Sequence, residues 1–454
     1  MDRRSFLLGT GAMLVGAAPA VAETTRIRLA DLRGSIGTEA IDVRPGAVDD
    51  QSAVVQAAID KASSEGKPLF LPPGRYEVSN LRLPSRLKLI GIPGETRLVY
   101  SGGGHLLYAE GGSGIAIDGV VLDGANRALG EDTPGLLHMI GAADVTLERS
   151  EIVGSARNAI ALEGCSGRIS ACRISGARDA GMWTVGSRGV SIVDNVVSDC
   201  GDGGILVHRW EDGPDNTIVS RNRVERIEAR SGGTGQVGNG INIFRANGVI
   251  VADNHVSDCA FSAIRSNAGS NVQITGNQCL SSGETAIYSE FGFEGAVIAN
   301  NIVDGASIGI SVANYDEGGR LAAVSGNIVR NLRKGAPYPD EFGLDFGIGI
   351  SIEADTAVTG NVVEGAPSLG VLVGWGPFTR NVVATGNVIR SAGVGVGVTV
   401  VEGSGSVTIA SNVIVDTPGG AVRGMRWADF VTGDLALGGA GAFPHLAVSA
   451  NRVG

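Results

Sequence analysis

One pattern recurs along most of this chain, and it limits the fold more than any other feature. A short β-rich run ends in Asn, two apolar residues follow, then a turn, then Gly-apolar-x-apolar. The Asn positions are Asn195, Asn222, Asn254, Asn277, Asn301, Asn327, Asn361, Asn387, Asn412 and Asn451, and Cys172 and Ser150 continue the frame towards the N-terminus. The companion run appears at 159–162, 204–207, 240–243, 309–312, 349–352 and 370–373. A short unit made only of strand and turn cannot bury its apolar face alone and must stack on its neighbours. The alternation has a period of two, which excludes helical repeats. The units are too short for propeller blades, which need about 40 residues, and they lack the fixed Leu frame of leucine-rich repeats. What remains is an all-β, single-stranded, right-handed parallel β-helix. Each repeat is one coil, and each strand pairs with its equivalent in the next coil at about 4.8 Å.

Asn at a recurring corner is expected to tolerate left-handed backbone and to pass its amide to the next Asn in the stack. Glycine fits the same picture. There are 71 in 454 residues, more than twice the usual share of about 7%, and they are expected to serve tight corners.

Residues 1–22 read as an export signal. Arg3 and Arg4 precede Ser5-Phe6-Leu7, an apolar run follows, and Ala20-Val21-Ala22 supplies a small-residue cleavage site. The paired arginines predict the twin-arginine route, which carries folded proteins, and hence a periplasmic or secreted protein with the twin-arginine translocation machinery as a partner during export. No other stretch approaches the ~20 apolar residues that span a bilayer. The net charge of -11 argues against a broad surface for nucleic acid or acidic lipid. Five cysteines, an odd number without CxxC spacing, are read as small buried apolar residues. The expected organisation is a signal at 1–22, a cap and first coils at 23–114, β-helix repeats at 115–415, and a C-terminal coil and cap at 416–454.

The passage at 46–100 has a helical segment at 53–64 after Asp49-Asp50-Gln51-Ser52, then Leu69-Phe70-Leu71-Pro72-Pro73-Gly74-Arg75-Tyr76 and Leu87-Lys88-Leu89-Ile90-Gly91. It resembles the opening of pectate-lyase-like and polygalacturonase-like β-helix proteins. The resemblance implies a short helix plugging the first coil and, with the paired arginines, a group of exported repeat proteins. That superfamily holds lyases, hydrolases, epimerases and non-catalytic binders. The chain departs from its catalytic members. It lacks the Asn-x-Asp, Asp-Asp and Gly-His-Gly set of the polygalacturonase-like hydrolases and the Asp-Pro-His-Asp stretch of mannuronan epimerases.

In the Gly-apolar-x-apolar strand the x position points out. Stacking the coils predicts one outward column running through Trp183, Leu206, Asn242, Arg265, Tyr288, Ser311, Ser351, Leu372 and Thr399. A second runs through Val185, His208, Phe244, Asn267, Glu290, Ala313, Glu353, Gly374 and Val401. The central coils therefore gather ionisable and aromatic groups on one face, with Trp210, Tyr315 and Asp316 close by. Two long inserts, at 226–239 and 331–346, precede the same strand of their coils and are expected to wall a groove for a polysaccharide. Tyr288, Tyr315, Trp210 and Phe342 are candidates to stack on sugar rings, with Asn242 and Asn267 as hydrogen-bonding partners.

Glycoside hydrolysis needs two carboxyl groups flanking a bond. Glu290 and Glu353, two coils apart, and Asp316 between them fit that need. Uronate β-elimination needs a cation and a base, and Arg265 with His208 or Tyr288 fits that one. The catalytic candidates are therefore Arg265, Glu290, His208, Glu353 and Asp316. Arg265 and Glu290 also form a natural ion pair, and as outward groups they are expected to matter little for stability. The alternative is a non-catalytic glycan-binding or structural envelope protein. No cofactor is predicted. The run Glu211-Asp212-Gly213-Pro214-Asp215-Asn216 is the one candidate Ca²⁺ loop, and a polar turn is the plainer reading.

Overall fold

The computed structural model describes residues 43–338, 343, 344 and 346–454. The expected export signal at 1–22 and Phe342 lie outside them.

Each coil contributes three strands. Ser191–Val193, Val196–Cys200 and Gly203–Pro214 form one coil. The next repeats it as Ile218–Ser220, Arg223–Ile227 and Asn239–Asn247. Equivalent strands pair in parallel, so Ile192 faces Val219, Val197 faces Val224 and Ile205 faces Ile241. The first ladder runs through fifteen strands among the described residues, from Leu69–Phe70 to Leu446–Ser449. The inward positions are Val, Ile and Leu from all three ladders, and they form one continuous core along the axis. The protein is a right-handed parallel β-helix of about 14 coils.

The expected helix runs Ser52–Glu65, one residue longer at each end than the sequence reading, and buries Val55, Ala58, Ile59 and Ala62. Asp50 Oδ1 accepts the Ser52 N–H at 2.8 Å and supports the first turn from just outside it, while Asp49 pairs with Arg44. Gly66 ends the helix in the left-handed region, with φ of 62°.

The Asn corner is a continuous amide ladder. Asn277 Oδ1 accepts both the backbone N–H and the side-chain N–H of Asn254, each at 3.0 Å. Asn277 Nδ2 donates to Asn301 Oδ1 and to Val251 O, again at 3.0 Å. The same link runs from Asn195 to Asn451, and Cys172 joins it through its N–H to Asn195 Oδ1. The backbone half of the expectation needs correcting. The left-handed residue is the one before each Asn, as at Arg221, Asp253, Asn300 and Ser411. That residue makes the corner, and it turns the Asn side chain into the core.

Glycine also has a second use. At Gly204, Gly240, Gly349 and Gly370, which lead the third-ladder strands, an added Cβ would come within 2.5 Å of an inward Val or Ile side chain. These glycines make room for an inward side chain and for the carbonyl of the next coil, and they do not turn corners.

At the C-terminal end, Val422–Arg426 and Asp429–Asp434 form an antiparallel hairpin. Its turn residue Trp427 packs on Trp375 and Phe378, with ring centroids 5.5 and 6.5 Å away. The coil frame then resumes, because Leu446–Ser449 and Arg452–Val453 extend the first two ladders.

Candidate functional site

Strand register brings the outward columns together largely as expected. Leu206, Asn242, Arg265, Tyr288, Ser311 and Ser351 are successive partners. His208, Phe244, Asn267 and Glu290 form the second column beside them. The far end differs. Leu372 pairs with Gly397, so Thr399 falls into the second column and Val401 lies beyond it. The repeat in this strand starts at Gly395, two residues before Gly397, so Gly397 and not Thr399 holds the x position.

The centre of the face is an ionic network. Arg265 Nε donates to Glu290 Oε1 at 2.6 Å, and Asn267 Nδ2 donates to the same oxygen at 3.0 Å. The Arg265 guanidinium lies over the Tyr288 ring, 5.2 Å from its centroid. A residue the sequence reading missed completes the group. Glu284 is 4% exposed, its Oε2 lies 3.9 Å from Arg265 Nη1, and Oε1 accepts the Tyr338 hydroxyl. Burial raises the Glu284 carboxyl above the usual range and pushes the Tyr288 phenol well above its own. Burial opposes the Arg265 charge, but Glu290 outweighs it and raises its pKa.

The two inserts do more than stand at the edge. The first brings Gly235 O to Arg265 Nη1 at 2.5 Å. The second brings Tyr338 onto Glu284 and places Arg333 Nη2 2.6 Å from Ser282 O. Phe261 and Phe346 pack on the Tyr338 ring. The inserts therefore fold down over Arg265 and its carboxylates instead of walling an open groove. Glu290 is 2% exposed. Arg265 serves the buried network, and it does not present a free cation to solvent.

An aromatic ledge borders this network. The long strand Gly203–Pro214 carries a bulge between His208 and Gly213, which lifts Trp210 outward until it is 63% exposed. Trp210 lies 6.3 Å from Trp183 and 6.5 Å from His208 between ring centroids, and His208 meets Phe244 edge-on at 5.8 Å. Arg245 lies over Phe244 and donates to Trp210 O. Burial lowers the His208 pKa to about 4, so its imidazole is neutral near pH 7, and Nε2 has no hydrogen-bond partner among the described residues. Asn242, one coil from Arg265, is 7% exposed with its Oδ1 unpartnered.

The third group lies further along. Ser289 pairs with Val312 and Val312 with Ile352, so Glu290 and Glu353 stand two coils apart. Glu353 Oε2 accepts the Tyr315 N–H at 2.6 Å. Burial, with the Asp316 charge adding to it, raises the Glu353 carboxyl to about 7. Asp316 sits in the short turn Tyr315–Glu317. The Tyr315 ring faces away towards Arg380, which caps it at 4.8 Å and pairs with Asp355.

The histidines look scattered in sequence, but the coil lines two of them up behind one carboxylate. His105 Nε2 meets His138 Nδ1 at 3.0 Å, and His138 Nε2 meets Glu163 Oε1 at 2.8 Å. Only the stacking of three coils creates this relay. In the candidate Ca²⁺ run, Glu211 and Asp212 lie exposed on the bulge, whereas Asp215 turns inward and its Oδ1 accepts the Thr217 N–H. Its oxygens do not converge, and no three metal-ligating side chains gather among the described residues. All five cysteines are buried and free, and burial raises the thiols of Cys172, Cys200 and Cys259 to about 12.

Fold and face define a right-handed β-helix protein with a crowded outward sheet. Residues 98–235 match a family described as "Right handed beta helix region". Residues 215–419 match one described as "Periplasmic copper-binding protein (NosD)". Among solved structures, the chain is similar to the pre-mature gene product 12 of bacteriophage phi29, with a TM-score of 0.50, 14% identity, and coverage of 85% of this chain and 69% of that one. It is also similar to the A-module of a mannuronan C-5 epimerase from Azotobacter vinelandii, with a TM-score of 0.46, 16% identity, and coverage of 92% and 99%. A third is the catalytic unit of an alpha-1,3-glucanase from Streptomyces thermodiastaticus, at 0.48, 14%, 92% and 68%. At these identities the likeness concerns the fold alone. No curated protein sequence matches the chain. No helix among the described residues is long and apolar enough to cross a membrane.

Proposed function

We propose that this is an exported glycan-binding β-helix protein that holds a polysaccharide along its outward third-ladder face. One observation carries the reading. Trp183, His208, Trp210 and Phe244 form a single aromatic ledge on neighbouring coils, and the bulge after His208 lifts Trp210 clear of it. An aromatic ledge with Trp210 exposed at its rim, beside Asn242, offers stacking surface and hydrogen bonds together, which is what a sugar ring needs. The paired arginines at the N-terminus support export. The test is a binding screen of the mature chain against neutral and acidic polysaccharides, with Trp210→Ala and Trp183→Ala. Each variant should lose at least tenfold in affinity. Unchanged binding in both would overturn the reading.

A second reading is favoured by Glu353. Its carboxyl is raised to about 7 while Asp316 stands near it. A carboxyl raised by burial, with a second carboxyl beside it, is the pattern of a general acid. In this reading Glu353 gives its proton to the glycosidic oxygen as the bond from that oxygen to C1 breaks, and Asp316 takes a proton from the water that adds to C1. Reducing ends released by the wild type and absent with Glu353→Gln, at equal binding, would establish hydrolysis.

A further inference from the structure

The face just described uses the middle of each third-ladder strand. The leading edge of the same strands carries a separate concavity of about 370 Å³, lined by Ala156, Arg157, Arg178, Asp179, Asp202, Arg230 and Ser231. Arg157 directly precedes the strand Asn158–Glu163, Arg178 and Asp179 precede Ala180–Val185, and Asp202 precedes Gly203–Pro214. Arg230 and Ser231 come from the first insert, before Asn239–Asn247. The lining therefore steps along four consecutive coils, with about 4.8 Å per step.

The cleft is held open by its own backbone. Asp202 N–H donates to Asp179 O at 2.8 Å, and Arg230 N–H donates to Gly201 O at 2.8 Å. Asp202 also fixes the insert by accepting the Ser231 N–H and hydroxyl, at 2.8 and 2.5 Å. Gly201 is needed there, because a Cβ would fall 2.9 Å from Arg230 Cδ and 1.9 Å from Arg178 O. Arg230 has a partner in Glu228. The guanidinium groups of Arg157 and Arg178 make no side-chain hydrogen bond among the described residues. Three arginines lining one cleft stand out in a chain with a net charge of -11.

We propose that this cleft is a binding site for the carboxylate of a uronate unit in an acidic glycan. Arg157 and Arg178 take the carboxylate, and Asp179 accepts the neighbouring ring hydroxyls. Arg suits this role because its planar fork bonds a carboxylate through two parallel N–H groups. The two aspartates narrow the choice of ligand. They repel a compact anion such as phosphate or sulfate, whereas a uronate surrounds one charge with hydroxyl donors that a carboxylate can accept. A pyranose unit is about as long as the ~4.8 Å coil step, so a chain lying along the axis meets the lining in register. The first insert links the two sites, because Arg230 and Ser231 line the cleft while Gly235 covers Arg265. The identification of the ligand as a glycan rests on the function proposed above. The anionic specificity rests on the cleft alone.

Calorimetric titration of the full mature chain with tri-galacturonate, a neutral trisaccharide and sodium sulfate tests this. The variants are Arg157→Gln with Arg178→Gln, and Trp210→Ala, each checked for native circular dichroism. The double variant should lose at least tenfold in tri-galacturonate affinity and keep its affinity for the neutral sugar. Wild-type affinity in the double variant would overturn the site, even if Trp210→Ala abolishes binding and so supports the ledge. Sulfate binding as tightly as the uronate would overturn the assignment to a sugar acid. Uronate binding that survives Trp210→Ala but not the double substitution would support the cleft and sink the ledge. A wild-type chain that binds neither trisaccharide would overturn both.

Discussion

Tyr338 donates its hydroxyl to Glu284 across 54 residues of chain. This bond ties the second insert to the middle of the outward face, and Arg265 ties the first through Gly235. Removing Arg265 would leave Glu284 and Glu290 buried without their cation. Loss of one partner from a buried pair costs about 3–5 kcal/mol. Arg265→Ala should therefore lower the urea midpoint clearly, against the small effect expected of an outward residue. Tyr338→Phe should cost about 1–3 kcal/mol and speed proteolytic cleavage within 331–347. Unchanged midpoints and cleavage in both variants would show that the network does not hold the inserts.

The Asn ladder is the second test. Asn277→Ala removes the acceptor of the Asn254 N–H and the donor to Val251 O, both inside the core. Each orphaned buried group costs about 1–3 kcal/mol. Asn451→Ala, at the partly buried end of the ladder, should cost much less. Equal urea midpoints for the two variants would contradict a ladder whose strength comes from burial.

Gly240 and Gly360 separate the two uses of glycine. A Cβ on Gly240 would meet Val256 Cγ1 at 2.4 Å and Cys259 Sγ at 2.9 Å, whereas Gly360 has open space and a φ of +65°. Gly240→Ala should cost about 1–3 kcal/mol by overpacking. A second change, Val256→Ala, should recover part of that loss. Gly360→Ala should cost roughly 1–2 kcal/mol through backbone strain, and no neighbouring cavity should relieve it. Failure of Val256→Ala to rescue Gly240→Ala would reject the packing explanation.

Glu353 sets a pH dependence. Its folded-state pKa, about 7, lies above the ordinary 4.5, so the folded chain holds this proton more tightly than the unfolded one. The contribution is fully present below about pH 4.5 and is lost as the pH rises through about 7. Glu353→Gln should flatten that part of the stability profile. His208, lowered to about 4 from 6.5, acts in the opposite direction, and its contribution is lost as the pH falls through about 4. Urea midpoints measured from pH 4 to pH 8 would show both limbs, and an unaltered profile in Glu353→Gln would reject the assignment.

The fold was legible because its signals are local and repeated. An Asn every coil, two apolar residues after it and a leading Gly each report a position in the same cross-section, so a single line of text shows the stack. The same counting placed Arg265 beside Tyr288 and Asn267 beside Glu290. It failed at the last long strand, where two glycines two residues apart can each start the repeat: Gly395 does, and Thr399 leaves its column. Glu284 and Tyr338 carry no such periodic mark. They meet only because the second insert bends back over the face.

By itself, then, the sequence determined the coil, its inward Val and Ile faces, the Asn corner and which side chains point out. Period-two alternation and stacking leave almost no freedom in those choices. Tertiary structure decided what the outward residues face. The inserts follow no period, and where they land depends on contacts between distant coils. Those contacts bury Arg265 with its carboxylates, raise Trp210 on a bulge and close His105, His138 and Glu163 into one relay.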